Sequence, residues 1–112
     1  MEVYYFNSDL AKKYGVNEAV FLQLFYRVVK ANKSVCVIED SLCWFPCAIK
    51  EWADYIDLWS YRQTDRLVKN CLLNHTLYQR HYDEDERRRR GWYAISNEVV
   101  QQLEETEQIV NQ

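Results

Sequence analysis

The chain has 112 residues, of which 48% are apolar and 15% aromatic, with only two glycines and one proline. That is one domain's length with enough greasy surface for a core, and it excludes disordered, collagen-like and linker-dominated chains. The net charge of -3 argues against a strongly basic nucleic-acid binder, and no apolar run has the ~18 residues of a membrane span. The N-terminus lacks a signal-peptide pattern, so the cytosol is the expected location.

In chain order, Ser8 begins a short helix that ends near Tyr14-Gly15, with Asn7 or Ser8 as cap and Gly15 suited to the terminating turn. A second helix runs from Asn17-Glu18 to about Ala31. Its apolar residues cover most of the circumference, which suits a central core helix or one that meets a second copy of the chain. Residues 35–47 are β-like: Val35 to Ile38 and Leu42 to Phe45 flank the turn-forming Glu39-Asp40-Ser41, and Pro46 is expected to end the second run.

Helical spacing returns from Ala48 to Ile56, with Ile49, Trp52, Ala53 and Ile56 on one face. After the break Asp57-Leu58-Trp59, Ser60 caps a helix through about Leu73. Its inner face is expected to hold Gln63 or Thr64, Leu67, Val68, Cys71 and Leu72. Leu77 to Tyr82 reads as a strand, residues 83–90 as a charged loop, and Gly91 to Ile95 as the returning strand. Ser96 or Asn97 caps a last helix with Val99, Val100 and Leu103, and the polar chain beyond Glu104 is expected to fray. The organisation is thus one α+β winged helix-turn-helix domain over residues 1–96, followed by a C-terminal helix and polar tail over 97–112.

Charge is segregated along this order. Residues 1–59 carry a net -2, residues 60–90 a net +3 and residues 91–112 a net -4. The basic stretch holds Arg62, Arg66, Lys69 and Arg80 with one acid, Asp65, then four acids (Asp83 to Glu86) followed by Arg87, Arg88, Arg89 and Arg90. A helix-turn-helix leads its second helix into the major groove, and a wing hairpin places cations on phosphates or in the minor groove. The candidate DNA-binding residues are therefore Tyr61, Arg62, Gln63, Arg66, Lys69, Arg80 and Arg87 to Arg90. Arg62 suits either a guanine edge or a phosphate. The acid–arginine run also reads as a self-compensating solvated loop, and winged helices also dock proteins.

Cys36, Cys43, Cys47 and Cys71 lack a metal-finger spacing, and His75 and His81 are irregularly placed, so free buried thiols are expected and neither metal nor cofactor. No Gly-rich phosphate loop, nucleophile elbow or metalloprotease helix is present, which reads as a non-enzyme. Trp44, Trp52, Trp59, Trp92, Tyr4, Tyr5, Tyr55, Tyr78, Tyr82 and Tyr93 are expected to face the core, with Tyr61 outward.

The stretch from Asp9-Leu10-Ala11 through Tyr14-Gly15-Val16-Asn17-Glu18-Ala19 to Gln23 resembles the opening of replication-protein winged-helix domains of phages and mobile elements. The resemblance continues through Trp44, Glu51-Trp52, Trp59-Ser60, Arg66 and Trp92-Tyr93-Ala94-Ile95, covering roughly residues 3–96. The sequence departs from that pattern at Ala48, at Thr64 and at Asn74-His75, where a glycine turn is usual. The resemblance implies a role in DNA replication, as an initiator or replisome organiser, with double-stranded DNA and replication proteins as partners. A docking module for a replication or regulatory protein, or a homodimer, is the alternative.

Overall fold

A computed structural model describes residues 3–81 and 91–112. The described elements are α1 (Ser8–Tyr14), α2 (Val16–Ala31), β1 (Val37–Glu39), β2 (Leu42–Cys47), α3 (Ile49–Tyr55), α4 (Tyr61–Leu73), β3 (Leu77–Arg80), β4 (Gly91–Ile95) and α5 (Asn97–Val110). The strands form one antiparallel sheet in the order β1-β2-β4-β3. The architecture is α+β, and among the described residues no helix is long and apolar enough to cross a membrane.

Local chemistry sets most boundaries. The Asn7 side chain accepts from Leu10 N–H at 3.0 Å and starts α1. Gly15, at φ +115°, lets the chain turn directly into α2, a backbone conformation that a side chain rarely adopts. β1 and β2 are joined by Asp40 and Ser41, both at positive φ, the geometry of a tight hairpin turn that follows the strands' twist.

Three strand expectations need correction. The first β run begins only at Val37, because Lys33–Val35 forms a short 3-10 turn that continues α2. Pro46 does not end β2: it pairs with Trp92, and the strand continues to Cys47. β1 stops at its pairing with Trp44, so at Pro46 one side of β2 has no neighbouring strand and a missing N–H is tolerated there. β3 ends at Arg80, one residue before His81, and Tyr82 lies outside the described residues.

The core lies between the inner face of the sheet (Phe45, Cys47, Leu77, Tyr93, Ile95) and the helices (Leu10, Phe21, Leu22, Phe25, Trp52, Leu67, Val68, Leu103). Its centre is Trp52 of α3, fully buried, with ring centroids 4.1 Å from Phe25, 5.7 Å from Phe21, 6.0 Å from Phe45 and 6.3 Å from Tyr93. Edge and tilted contacts of this kind add to the stabilisation from burial itself. The apolar circumference of α2 is used within the chain: Ala19, Phe21, Leu22 and Phe25 are buried, and Leu24, Tyr26, Val28 and Val29 pack half-buried against the core. The aromatic expectation fails at Tyr4, Tyr55 and Tyr78, which are exposed. All four cysteines are free thiols, but only Cys47 and Cys71 are buried.

The C-terminal expectation also fails, for a tertiary reason. α5 continues to Val110 because Thr106 and Glu107 are buried. Glu107 accepts from Tyr5 Oη at 2.6 Å and from Gln23 Nε2 at 2.9 Å, with Arg27 Nε 4.0 Å away. Gln23 Nε2 also donates to Leu103 O, and Asn7 Nδ2 donates to Thr106 Oγ1 at 3.1 Å. A polar tail segment thus becomes the buried partner of both the N-terminal segment and α2. Replacing Glu107 with alanine removes the acceptor of Tyr5 Oη and one of the two acceptors of Gln23 Nε2, and urea titration is expected to show a loss of about 1–3 kcal/mol.

The buried phenol of Tyr93 carries a second measurable consequence. Burial, with smaller contributions from Cys47 and Asp65, raises its pKa from 10.0 to about 12. The folded state therefore holds this proton more tightly than the unfolded chain. The stabilisation is complete below pH 10 and is lost as pH rises toward 12, a drop of about 3 kcal/mol. Denaturant midpoints measured across that range are expected to fall, and Tyr93→Phe is expected to flatten the decline.

Candidate nucleic-acid interface

α4 is built to present one polar face. Ser60 Oγ accepts from Gln63 N–H at 3.2 Å while Gln63 Oε1 accepts from Ser60 N–H at 3.0 Å, a reciprocal cap that fixes the helix start. Thr64, Leu67, Val68 and Cys71 are buried. Thr64, rather than Gln63, is thus the inner residue of the first turn, and its hydroxyl donates to Ser60 O at 2.9 Å. Asn70 Nδ2 donates to Glu18 Oε1 at 3.2 Å and ties the middle of α4 to the start of α2.

The opposite face carries Arg62, Arg66 and Lys69, all exposed, at the i, i+4, i+7 spacing that aligns side chains along one stripe. Tyr61 stands at the head of the helix, 56% exposed. Lys69 Nζ lies 2.8 Å from Asp65 Oδ2, and that hydrogen bond and charge raise the lysine pKa. The Asp65 carboxylate thus offsets Lys69, leaving Arg62 and Arg66 as the cations of the stripe without an ion pair among the described residues. The thirteen-residue helix is about 20 Å long, a rod that fits a major groove.

The other candidates are placed differently. Gln63 is exposed, but its carbonyl is engaged in the cap. Arg80 leaves β3 and stacks 4.4 Å over the Trp44 ring, with Nη2 2.9 Å from Asp40 Oδ2 and Nη1 3.3 Å from Glu39 Oε1. It bridges the β3 edge to the β1–β2 turn across the outer sheet face, and those carboxylates compete with any phosphate for it. Arg87, Arg88, Arg89 and Arg90 lie outside the described residues, as do Asp83 to Glu86.

Two local features support the hairpin beside α4. His75 takes the left-handed conformation (φ 59°) between α4 and β3, and buried Thr76 returns its N–H and hydroxyl to Cys71 O. Gly91 opens β4 where an added Cβ would come within 2.9 Å of both Gln79 Nε2 and Tyr93 Oη. The carboxylate partners of Arg80 were missed in sequence because they stand some forty positions away, and a turn signal at Asp40 says nothing about what its side chain meets. Asp65, four residues before Lys69, carries a local signal of its own, the i, i+4 spacing on one helix. Among the described residues no group of three or more His, Cys, Asp or Glu side chains can hold a metal ion. No family model, curated protein or solved structure matches the chain, so the reading of this face rests on its own geometry.

Proposed function

We propose that the chain is a non-enzymatic winged-helix protein that binds double-stranded DNA, in the service of phage or mobile-element DNA replication or its control. The element order supports this reading: α3, a short connection, α4, then the antiparallel β3–β4 pair with β2 as the third strand of β2-β4-β3. The observation that carries it is the exposed Arg62–Arg66–Lys69 stripe on a capped helix whose other face is locked into the core. Tyr61 stands at the helix N-terminus, the end that leads into a groove. In this reading Arg62 and Arg66 hold phosphates or a guanine edge, and Arg87 to Arg90 add contacts from the β3–β4 connection. Arg80 acts as a strut for the hairpin, and a stripe with one of its three cations offset implies modest affinity.

A protein-docking role has its own supporting observation. An open groove of about 830 Å³ runs between the N-terminal segment, α2 and the end of α3, and its wall includes Val3, Tyr4, Leu24, Val28 and Tyr55. The two readings separate in one titration. Anisotropy of a mixed-sequence fluorescent duplex is expected to report binding that weakens by roughly tenfold or more between 50 and 200 mM salt. The Arg62→Ala/Arg66→Ala double variant is expected to weaken binding and to lower the salt slope by about 2, and alanines at Arg87 to Arg90 to lower it further. Absence of binding at low salt overturns general DNA affinity and favours docking.

A further inference from the structure

Two cysteines stand on one side of the β1–β2 hairpin, Cys43 within β2 and Cys36 just ahead of β1. Cys43 pairs with Ile38 in the ladder, and Cys36 stands two residues before Ile38, so the two thiols are diagonal neighbours on the same side of the hairpin. Cys36 has extended backbone leading into β1, and its Sγ lies 3.6 Å from Asn32 O at the end of α2. Both are half-buried, whereas Cys47 and Cys71 are buried. Cys43 opens onto a cavity of about 270 Å³ between the hairpin, the last turns of α2 and the first turns of α5, with Lys30, Lys33 and Glu104 in its wall. Access, a neighbouring thiol and nearby cations are the conditions under which a cysteine is oxidised selectively.

We propose that Cys36 and Cys43 form an oxidisable dithiol, a site of reversible disulfide formation driven by a hydroperoxide. Cys43 attacks as the thiolate and takes one peroxide oxygen, giving a sulfenic acid and releasing the peroxide's other half as water or an alcohol. Cys36 then attacks that sulfur, its proton leaves with the sulfenic hydroxyl as water, and the S–S bond closes. Two thiols are oxidised and one peroxide is reduced. Burial pushes the Cys36 thiol up to about 12, so it is the slower of the pair to meet peroxide as a thiolate. Closure brings the two Cα atoms to the roughly 4.4–6.8 Å of a disulfide and tightens the hairpin across the Asp40-Ser41 turn. Glu39 and Asp40, which hold Arg80, stand on that same turn.

The test uses the full chain, reduced and natively folded, exposed to hydrogen peroxide and quenched at intervals with N-ethylmaleimide. Cleavage after Glu39 separates the two cysteines, so mass spectrometry without reduction reads the bridge directly. The expected product is a Cys36–Cys43 linked pair lacking two hydrogens, formed at least about tenfold faster than oxidation of Cys47 or Cys71 and reversed by dithiothreitol. In Cys36→Ser, dimedone is expected to trap Cys43 as the sulfenic acid; in Cys43→Ser, Cys36 is expected to stay alkylatable. A bridge that forms no faster than the buried thiols react overturns the proposal, as does one that joins two chains. The wild-type time course decides the matter even where a serine variant folds poorly.

Discussion

Burial of one indole organises this molecule. Trp52 belongs to α3, a helix of seven residues that no isolated peptide would hold. Its ring sits among Phe21 and Phe25 of α2, Phe45 of β2 and Tyr93 of β4, so a single side chain fixes the short helix to a long helix and two strands. The capping reinforcement is modest: Ala48 offers no side-chain acceptor, and only Glu51 Oε1 reaches back to its N–H at 3.3 Å. Position therefore comes from packing. Because α4 follows α3 after a short connection, the direction in which its arginines point depends on that aromatic cluster.

The parts of the fold legible in sequence are those decided within a few residues. Ser60 with Gln63 three positions on, the apolar spacing of Leu67, Val68 and Cys71, and the Gly15 stop are all local signals, and the helices start or end where these place them. The illegible parts were decided by distant partners. Thr106 and Glu107 read as a solvated tail until Asn7, Tyr5 and Gln23 are known to meet them. Pro46 reads as a strand terminator until β1 is seen to stop short of it. Periodicity also overstated the burial of Tyr55 and Tyr78, which lie on elements whose outer faces nothing among the described residues covers fully.

The same division runs through the candidate interface. The stripe of Arg62, Arg66 and Lys69 follows from helical spacing alone. How much positive charge it presents does not, because pairing sets it: Asp65 offsets Lys69 locally, and Glu39 with Asp40 hold Arg80 from another part of the sheet. Counting cations along the chain therefore overstates the field at the surface.

The Glu107 cluster has a bearing on how the chain reaches this state. Tyr5 and Glu107 are 102 positions apart, and Gln23 and Glu107 are 84 apart. Contacts of such separation close very large loops, an entropy cost that falls once nearer pairings have gathered the chain. The cluster therefore gains most by closing late, as a latch over α2 and the sheet. A latch absent from the folding transition state leaves the rate of folding nearly untouched and governs the rate of escape. The lifetime of the native chain, more than the speed with which it is reached, is written into the meeting of its two ends.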